Sequence, residues 1–159
     1  MNDDDFARAS EAYDHADYDL AFKLFLQGAE DGHSGAMERV AIMYTCGEGI
    51  ACDYDKALEW EKKAIQHGSL SALLNIGITY RIKGDMLCAR KWFEKSFDLG
   101  DGEAAMELAR LYMVSDKEIE TVIRYLKLAI ENQRTCEATK KEATKTLQNL
   151  SKQRKPINK

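Results

Sequence analysis

Ala36-Met-Glu-Arg-Val-Ala-Ile-Met-Tyr44, then Thr45-Cys-Gly-Glu-Gly-Ile-Ala-Cys-Asp53, then Ala57-Leu-Glu-Trp-Glu-Lys-Lys-Ala64: this run decides the fold. Its first part places a small residue at Ala36, an aliphatic at Val40, a small residue at Ala41 and a tyrosine at Tyr44. Places one, five and nine of such a segment share one face of a helix. The small sixth place lets a second helix approach, and the tyrosine fills the wedge between them. The last part sets Trp60 three places and Ala64 seven places beyond Ala57, and Gly68 then ends the helix. The whole reads as one helical hairpin.

The same pattern recurs on both sides. Ala72-Leu-Leu-Asn-Ile-Gly-Ile-Thr-Tyr80 and Ala104-Ala-Met-Glu-Leu-Ala-Arg-Leu-Tyr112 repeat the first helix, and Phe6, Ala9 and Tyr13 form a worn copy. The second helix recurs from Ala21, Ala89 and Val122, with Gly32 and Gly100 as further stops. Successive tyrosines from Tyr44 lie 36 and 32 residues apart, the repeat length of a hairpin solenoid. A last segment carries Ala143, Leu147 and Leu150 at helical spacing among lysines, as an amphipathic cap would.

At Ala36 to Gly68 the chain resembles a Sel1-like repeat, a relative of the tetratricopeptide unit. The matching residues are Ala36, Val40, Ala41, Tyr44, Gly47, Gly49, Ile50, Asp53, Lys56, Ala57, Trp60, Lys63, Ala64 and Gly68. The next unit keeps Ala72, Ile76, Gly77, Tyr80, Ala89, Trp92, Lys95 and Gly100, but replaces the glycine-rich loop by Lys83-Gly84-Asp85. The resemblance covers roughly residues 5–133 and is strongest over 36–100.

The expected fold is therefore all-α: a right-handed α-solenoid of about four helical hairpins with a C-terminal capping helix. Expected boundaries are hairpins at about 5–32, 36–68, 71–100 and 103–133, and a cap helix at about 137–151. Together they make one domain over 1–151, followed by a flexible basic tail at 152–159. The resemblance also implies that places three, seven and eleven of each first helix line a concave wall. These are Glu38, Ile42 and Cys46, then Leu74, Ile78 and Ile82, then Met106, Arg110 and Val114. Place ten adds Arg81, and the worn first unit adds Glu11 and His15. An apolar stripe in a groove marks a contact surface, and flanking charges set register. The opposing expectation is that a tighter superhelix, or the C-terminal helix folding back, buries these aliphatics as core.

Composition narrows the function. The chain has 159 residues, 45% of them hydrophobic, and its one proline is Pro156, as suits a nearly all-helical domain. Residues 1–35 hold nine acids against two bases, whereas 133–159 hold eight bases against two acids. The basic tail (Lys152, Arg154, Lys155, Lys159) lacks the aromatics of a nucleic-acid site. The opening Asn2-Asp3-Asp4-Asp5 is the opposite of a basic leader, so no secretory signal is expected. No apolar stretch approaches the roughly 18 residues that span a bilayer. Cys46, Cys52, Cys88 and Cys136 contain no CxxC pair and read as thiols in a reducing cytosol. The paired cysteines that staple some secreted Sel1-like members have no counterpart here.

No catalytic or nucleotide-binding motif is present, and His15, His33 and His67 fall at helix ends or turns. Gly47-Glu48-Gly49 lacks the lysine of a phosphate loop, and the Asp3–Asp5 run lacks calcium-loop spacing. No cofactor and no metal are expected. The function expected is a non-enzymatic interaction module that holds a protein or peptide in its groove, in the cytoplasm. The alternative is a bacterial immunity protein that neutralises a toxin domain, whose basic surface would suit the acidic N-terminal third. An enzyme with a site assembled across repeats, around Cys46 and His15, is the remote third reading.

Overall fold

The computed structural model describes residues 1–113 and 118–153, and among these lie nine helices and no strand. They are α1 (Asp3–Asp14), α2 (Tyr18–Glu30), α3 (Ser34–Cys46), α4 (Tyr54–Gln66), α5 (Ser71–Lys83), α6 (Met86–Asp98), α7 (Gly102–Tyr112), α8 (Ile119–Glu131) and α9 (Glu137–Gln153). Short polar side chains set several starts. Asn2, Asp17, Asp53 and Asp101 accept hydrogen bonds from first-turn amides of Asp5, Leu20, Lys56 and Glu103, satisfying donors that a helix start leaves orphaned. His33 caps α3 by accepting from the Ala36 amide through Nδ1 at 3.1 Å, so that nitrogen carries no proton.

The chain forms two compact units, Met1–Asp85 with α1 to α5 and Met86–Lys159 with α6 to α9. In the first unit α1 packs on α2, α2 on α3, α3 on α4 and α4 on α5. Fully buried Ala9, Ala21, Ala36, Ala57, Ala64 and Ala72 stand in this core. Where both faces offer only a methyl group, backbones come close enough for larger neighbours to interlock. Phe25 is wholly buried, with Phe6 edge-on at 5.4 Å between centroids, and Phe22 meets Tyr44 the same way at 5.4 Å. Burying one such ring stabilises by about 2–3 kcal/mol.

The loop from α3 to α4 is shaped by Gly49, at φ +69, where a Cβ would stand 2.2 Å from the Tyr18 carbonyl oxygen. The loop thus lies directly on the start of α2. The Asp53 amide closes it onto the Tyr44 carbonyl at 3.0 Å. Tyr13 tightens the same corner, its hydroxyl donating to Glu48 at 2.5 Å. That bond, with burial and the Glu48 charge, pushes the phenol up to about 12.

In the second unit α7 is the central helix, buried at Gly102 and from Ala104 through Ala109 and packed on α6 and α8. Helix α9 lies mainly on α8 and also touches α7, with Ala143 fully buried. Leu147 and Leu150 of its expected apolar stripe are half-buried. The Glu103 carboxylate anchors its start by accepting from the Cys136 amide at 2.7 Å and the Thr139 hydroxyl at 2.5 Å. Val114 and residues 154–159 of the expected basic tail lie outside the described residues.

Candidate functional site

Helices α3 and α5 run side by side, bridged at both ends by polar side chains. At one end Glu38 accepts hydrogen bonds from Ser69 and Ser71 at 2.7 and 2.8 Å, and from Asn75 at 3.4 Å. At the other, the Thr45 and Thr79 hydroxyls meet at 3.4 Å. Beside these bridges Ile42 and Cys46 of α3 and Ile78 and Ile82 of α5 line an open cleft of about 240 Å³. Ile42 and Ile78 are half-buried, while Cys46 and Ile82 stand exposed at its mouth, Ile82 at 47%. Thr45, Asn75, Thr79 and Glu61 complete the lining.

Glu61 is the unusual member. It lies on the inward face of α4 with Ala57 and Ala64, and only 1% of it is exposed. Its Oε1 accepts from the Thr79 hydroxyl at 2.7 Å, and its Oε2 has no hydrogen-bond partner. Removal from water disfavours the charged form. Burial therefore pushes the carboxyl up to about 8, and the Glu38 charge pushes the same way; the Thr79 bond and Lys62 oppose them. At neutral pH the cleft floor is thus a largely protonated acid. At the mouth, burial raises the Cys46 thiol, with the Glu48 and Cys52 charges adding. Cys52 donates to the Thr45 carbonyl at 3.4 Å, and none of the four cysteines forms a disulfide.

Four of the residues expected on an inner wall are therefore brought together: Ile42, Cys46, Ile78 and Ile82. Glu38 is close by, but its carboxylate is taken up in holding the start of α5. Leu74 is half-buried outside the cleft lining, and Arg81 is half-buried and engaged within the fold. Glu11 and His15 are exposed on and just beyond α1, the His15 ring bonded to the Glu11 carbonyl at 2.8 Å.

Two residues of the second unit correct the expectation. Met106 is only 1% exposed and belongs to the core. Arg110 pairs with Glu107 and, at 2.8 Å, with Glu142 of α9. Glu103 and Arg110, one turn to either side of Met106, are both tied to α9, so the C-terminal helix covers this stretch of α7. Sequence reasoning missed Glu61, Thr45, Asn75 and Thr79. Glu61 had a legible signal, because a carboxylate four residues after Ala57 and three before Ala64 sits on a stripe that must be buried.

Among the described residues no group of three or more His, Cys, Asp or Glu side chains is placed to hold a metal. No described helix is long and apolar enough to cross a membrane.

A family model described as Sel1 repeat matches residues 15–33, 34–69 and 71–101. A Sel1 repeat protein from Oxalobacter formigenes superposes with a TM-score of 0.71 at 21% identity, covering 96% of this chain and 63% of that one. A protective antigen present in uropathogenic Escherichia coli strains, displaying an SLR fold, superposes with a TM-score of 0.66 at 21% identity, covering 86% of this chain and 30% of that one. An immunity protein from Pseudomonas aeruginosa reaches a TM-score of 0.42 at 16% identity, covering 92% of this chain and 81% of that one, and bears no weight here. The first two matches show the fold, an all-α solenoid. The chain spans less than two thirds of either protein's length.

Proposed function

This chain belongs to the Sel1 repeat family, and we propose on that premise that it is a non-enzymatic module binding a protein or peptide in the cleft between α3 and α5. The observation that carries the reading is the open aliphatic lining of Ile42, Ile78 and Ile82. Ile82 is exposed and Ile42 and Ile78 are half-buried, so burying what remains open against a partner is favourable. The residues nearest the cleft that have chemical reactivity, Cys46 and Glu61, do not form a nucleophile–base pair with any histidine in the cleft lining. Four thiols outside any disulfide suit a reducing compartment, the cytoplasm.

The test is affinity capture from the native lysate, with wild type beside an Ile42→Asp/Ile78→Asp chain and the helical circular dichroism of both recorded. A partner held by wild type and lost by the still-helical variant supports the cleft. The same partner held by both overturns it and moves attention to the acidic face around α1. That face, within a stretch of nine acids against two bases, favours a basic partner. A toxin domain is one such partner, and rescue of toxin-expressing cells by this chain distinguishes an immunity protein from an adaptor.

A further inference from the structure

We infer that the cleft between α3 and α5 receives one lysine side chain of a partner polypeptide, its aliphatic stem held by Ile42, Ile78 and Ile82 and its ammonium donating to the free Oε2 of Glu61. The inference rests on the interaction reading above and names what that cleft recognises. Its starting point is a polar atom with nothing to bond. Glu61 is 99% buried, its Oε1 is committed to Thr79, and its Oε2 has no partner. An orphaned buried oxygen costs free energy that a native fold rarely leaves uncompensated. This one is closed to solvent but belongs to a residue of the cleft lining, so a cation that enters the cleft and displaces the side chains over it can complete its bonding.

The chemistry of that group follows from what surrounds it. The walls are aliphatic, and Ile82 and Cys46 stand exposed at the entrance. The floor offers one oxygen rather than two, since Thr79 already holds the other. A guanidinium is best matched by two parallel acceptors, whereas an ammonium is a compact charge on an apolar four-carbon stem. Lysine is thus the better fit to an aliphatic cleft ending in a single acceptor.

Charge points the same way. Glu38 stands near enough to act on Glu61, and among the described residues no lysine or arginine lines the cleft. Nearby, Arg39 lies over the Tyr13 ring, Lys83 pairs with Asp55, and Lys62 is exposed, with only a minor pull on Glu61. Glu61 is largely protonated while the cleft is empty, and burial is the main cause. Insertion of an ammonium favours the carboxylate, so the acid releases its proton to solvent as the cation arrives. Occupation by lysine is therefore tighter above pH 8 than at pH 6.

The probe is n-butylammonium, the side chain of lysine alone, compared with n-butanol as its neutral counterpart. Both are titrated into the whole chain carrying labelled isoleucine methyl groups, with the Glu61 carboxyl carbon followed in parallel. Butylammonium is expected to move the Ile42, Ile78 and Ile82 methyl signals saturably, with an affinity on the order of millimolar for so small a ligand. It should bind at least about tenfold more tightly at pH 9 than at pH 6, and lower the Glu61 midpoint. Glu61→Gln, which keeps the shape and the Thr79 bond, should bring the amine down to the level of butanol. Equal shifts by butanol, or no shift up to about 50 mM amine, overturn the inference; so does unchanged amine binding by Glu61→Gln. Should that variant misfold, the carboxyl titration of wild type decides alone. Partner capture keeps the two readings apart. Loss of the partner by the isoleucine double variant without ammonium preference removes lysine recognition and leaves the protein-binding cleft. Retention of the partner by that variant removes the cleft as an interface, and the lysine with it.

Discussion

Replacing Glu61 by glutamine should convert a pH-dependent stability into a flatter one. In the fold this carboxyl is pushed from an ordinary 4.5 up to about 8, chiefly by burial. A raised acid means that the folded state binds the proton more tightly than the unfolded state. Its stabilising contribution is full below pH 4.5, declines as pH rises from 4.5 to about 8, and is gone above that. At about 1.4 kcal/mol per pH unit, the whole span is about 5 kcal/mol. The open mouth of the cleft lets the ionised side chain and water relax toward each other, so the expected loss is about 2–3 kcal/mol. Glutamine keeps the acceptor for Thr79 and never ionises. At pH 5 the variant should lie within about 1 kcal/mol of wild type. By pH 9 it should be the more stable by about 2 kcal/mol, a shift of about 1–2 M in the urea midpoint. The chain has two tryptophans, and Trp60 neighbours Glu61 on α4. A Trp92→Phe background therefore reports the first unit alone by fluorescence. Other groups titrate in both proteins and cancel in the difference. A difference curve flat from pH 5 to 9 would refute the argument, showing that the carboxyl is solvated in the native state.

Two further substitutions probe the frame. Gly49→Ala combines a left-handed backbone with a Cβ 2.2 Å from the Tyr18 carbonyl oxygen, and should cost about 2–4 kcal/mol by urea unfolding. Gly68→Ala is its control, at φ +88 with nothing within 4 Å, and should cost only the backbone term of about 1 kcal/mol. Glu103→Ala removes the acceptor for the Cys136 amide and the Thr139 hydroxyl. By hydrogen exchange, the first-turn amides of α9 should then open about tenfold more often while α7 is unchanged. Equal acceleration in both helices would mean that Glu103 supports the whole unit rather than the docking of α9.

Much of the fold was legible because its determinants are local. Ala36, Val40, Ala41 and Tyr44 show at fixed intervals where one helix admits another, and the interval repeats. Glycine stops and aspartate caps such as Asp53 and Asp101 act within a few residues of their own position. The candidate site was only partly legible. Ile42 and Ile78 stood out as aliphatics on a stripe implied to face a partner, and both line the cleft. Glu61 was missed because the adjacent Lys62 and Lys63 read as a solvated face, although Ala57 and Ala64 put it on the buried stripe.

The all-α hairpin repeat follows from local pattern, because periodic apolar and small residues dictate where helices form and which faces close together. Which members of one equivalent stripe stay open depends instead on packing between helices distant in the chain. Leu74 and Met106 hold the same place in successive units, yet Leu74 is half-buried and Met106 is closed over. The difference lies in α9, whose Thr139 and Glu142 reach back to Glu103 and Arg110 across more than thirty residues of chain. The same holds for Glu61, whose charge state is set chiefly by burial, with Glu38 of α3 adding to it and Thr79 of α5 and Lys62 of α4 opposing it. Burial belongs to whatever covers a residue, and no local pattern encodes a cover contributed from so far along the chain.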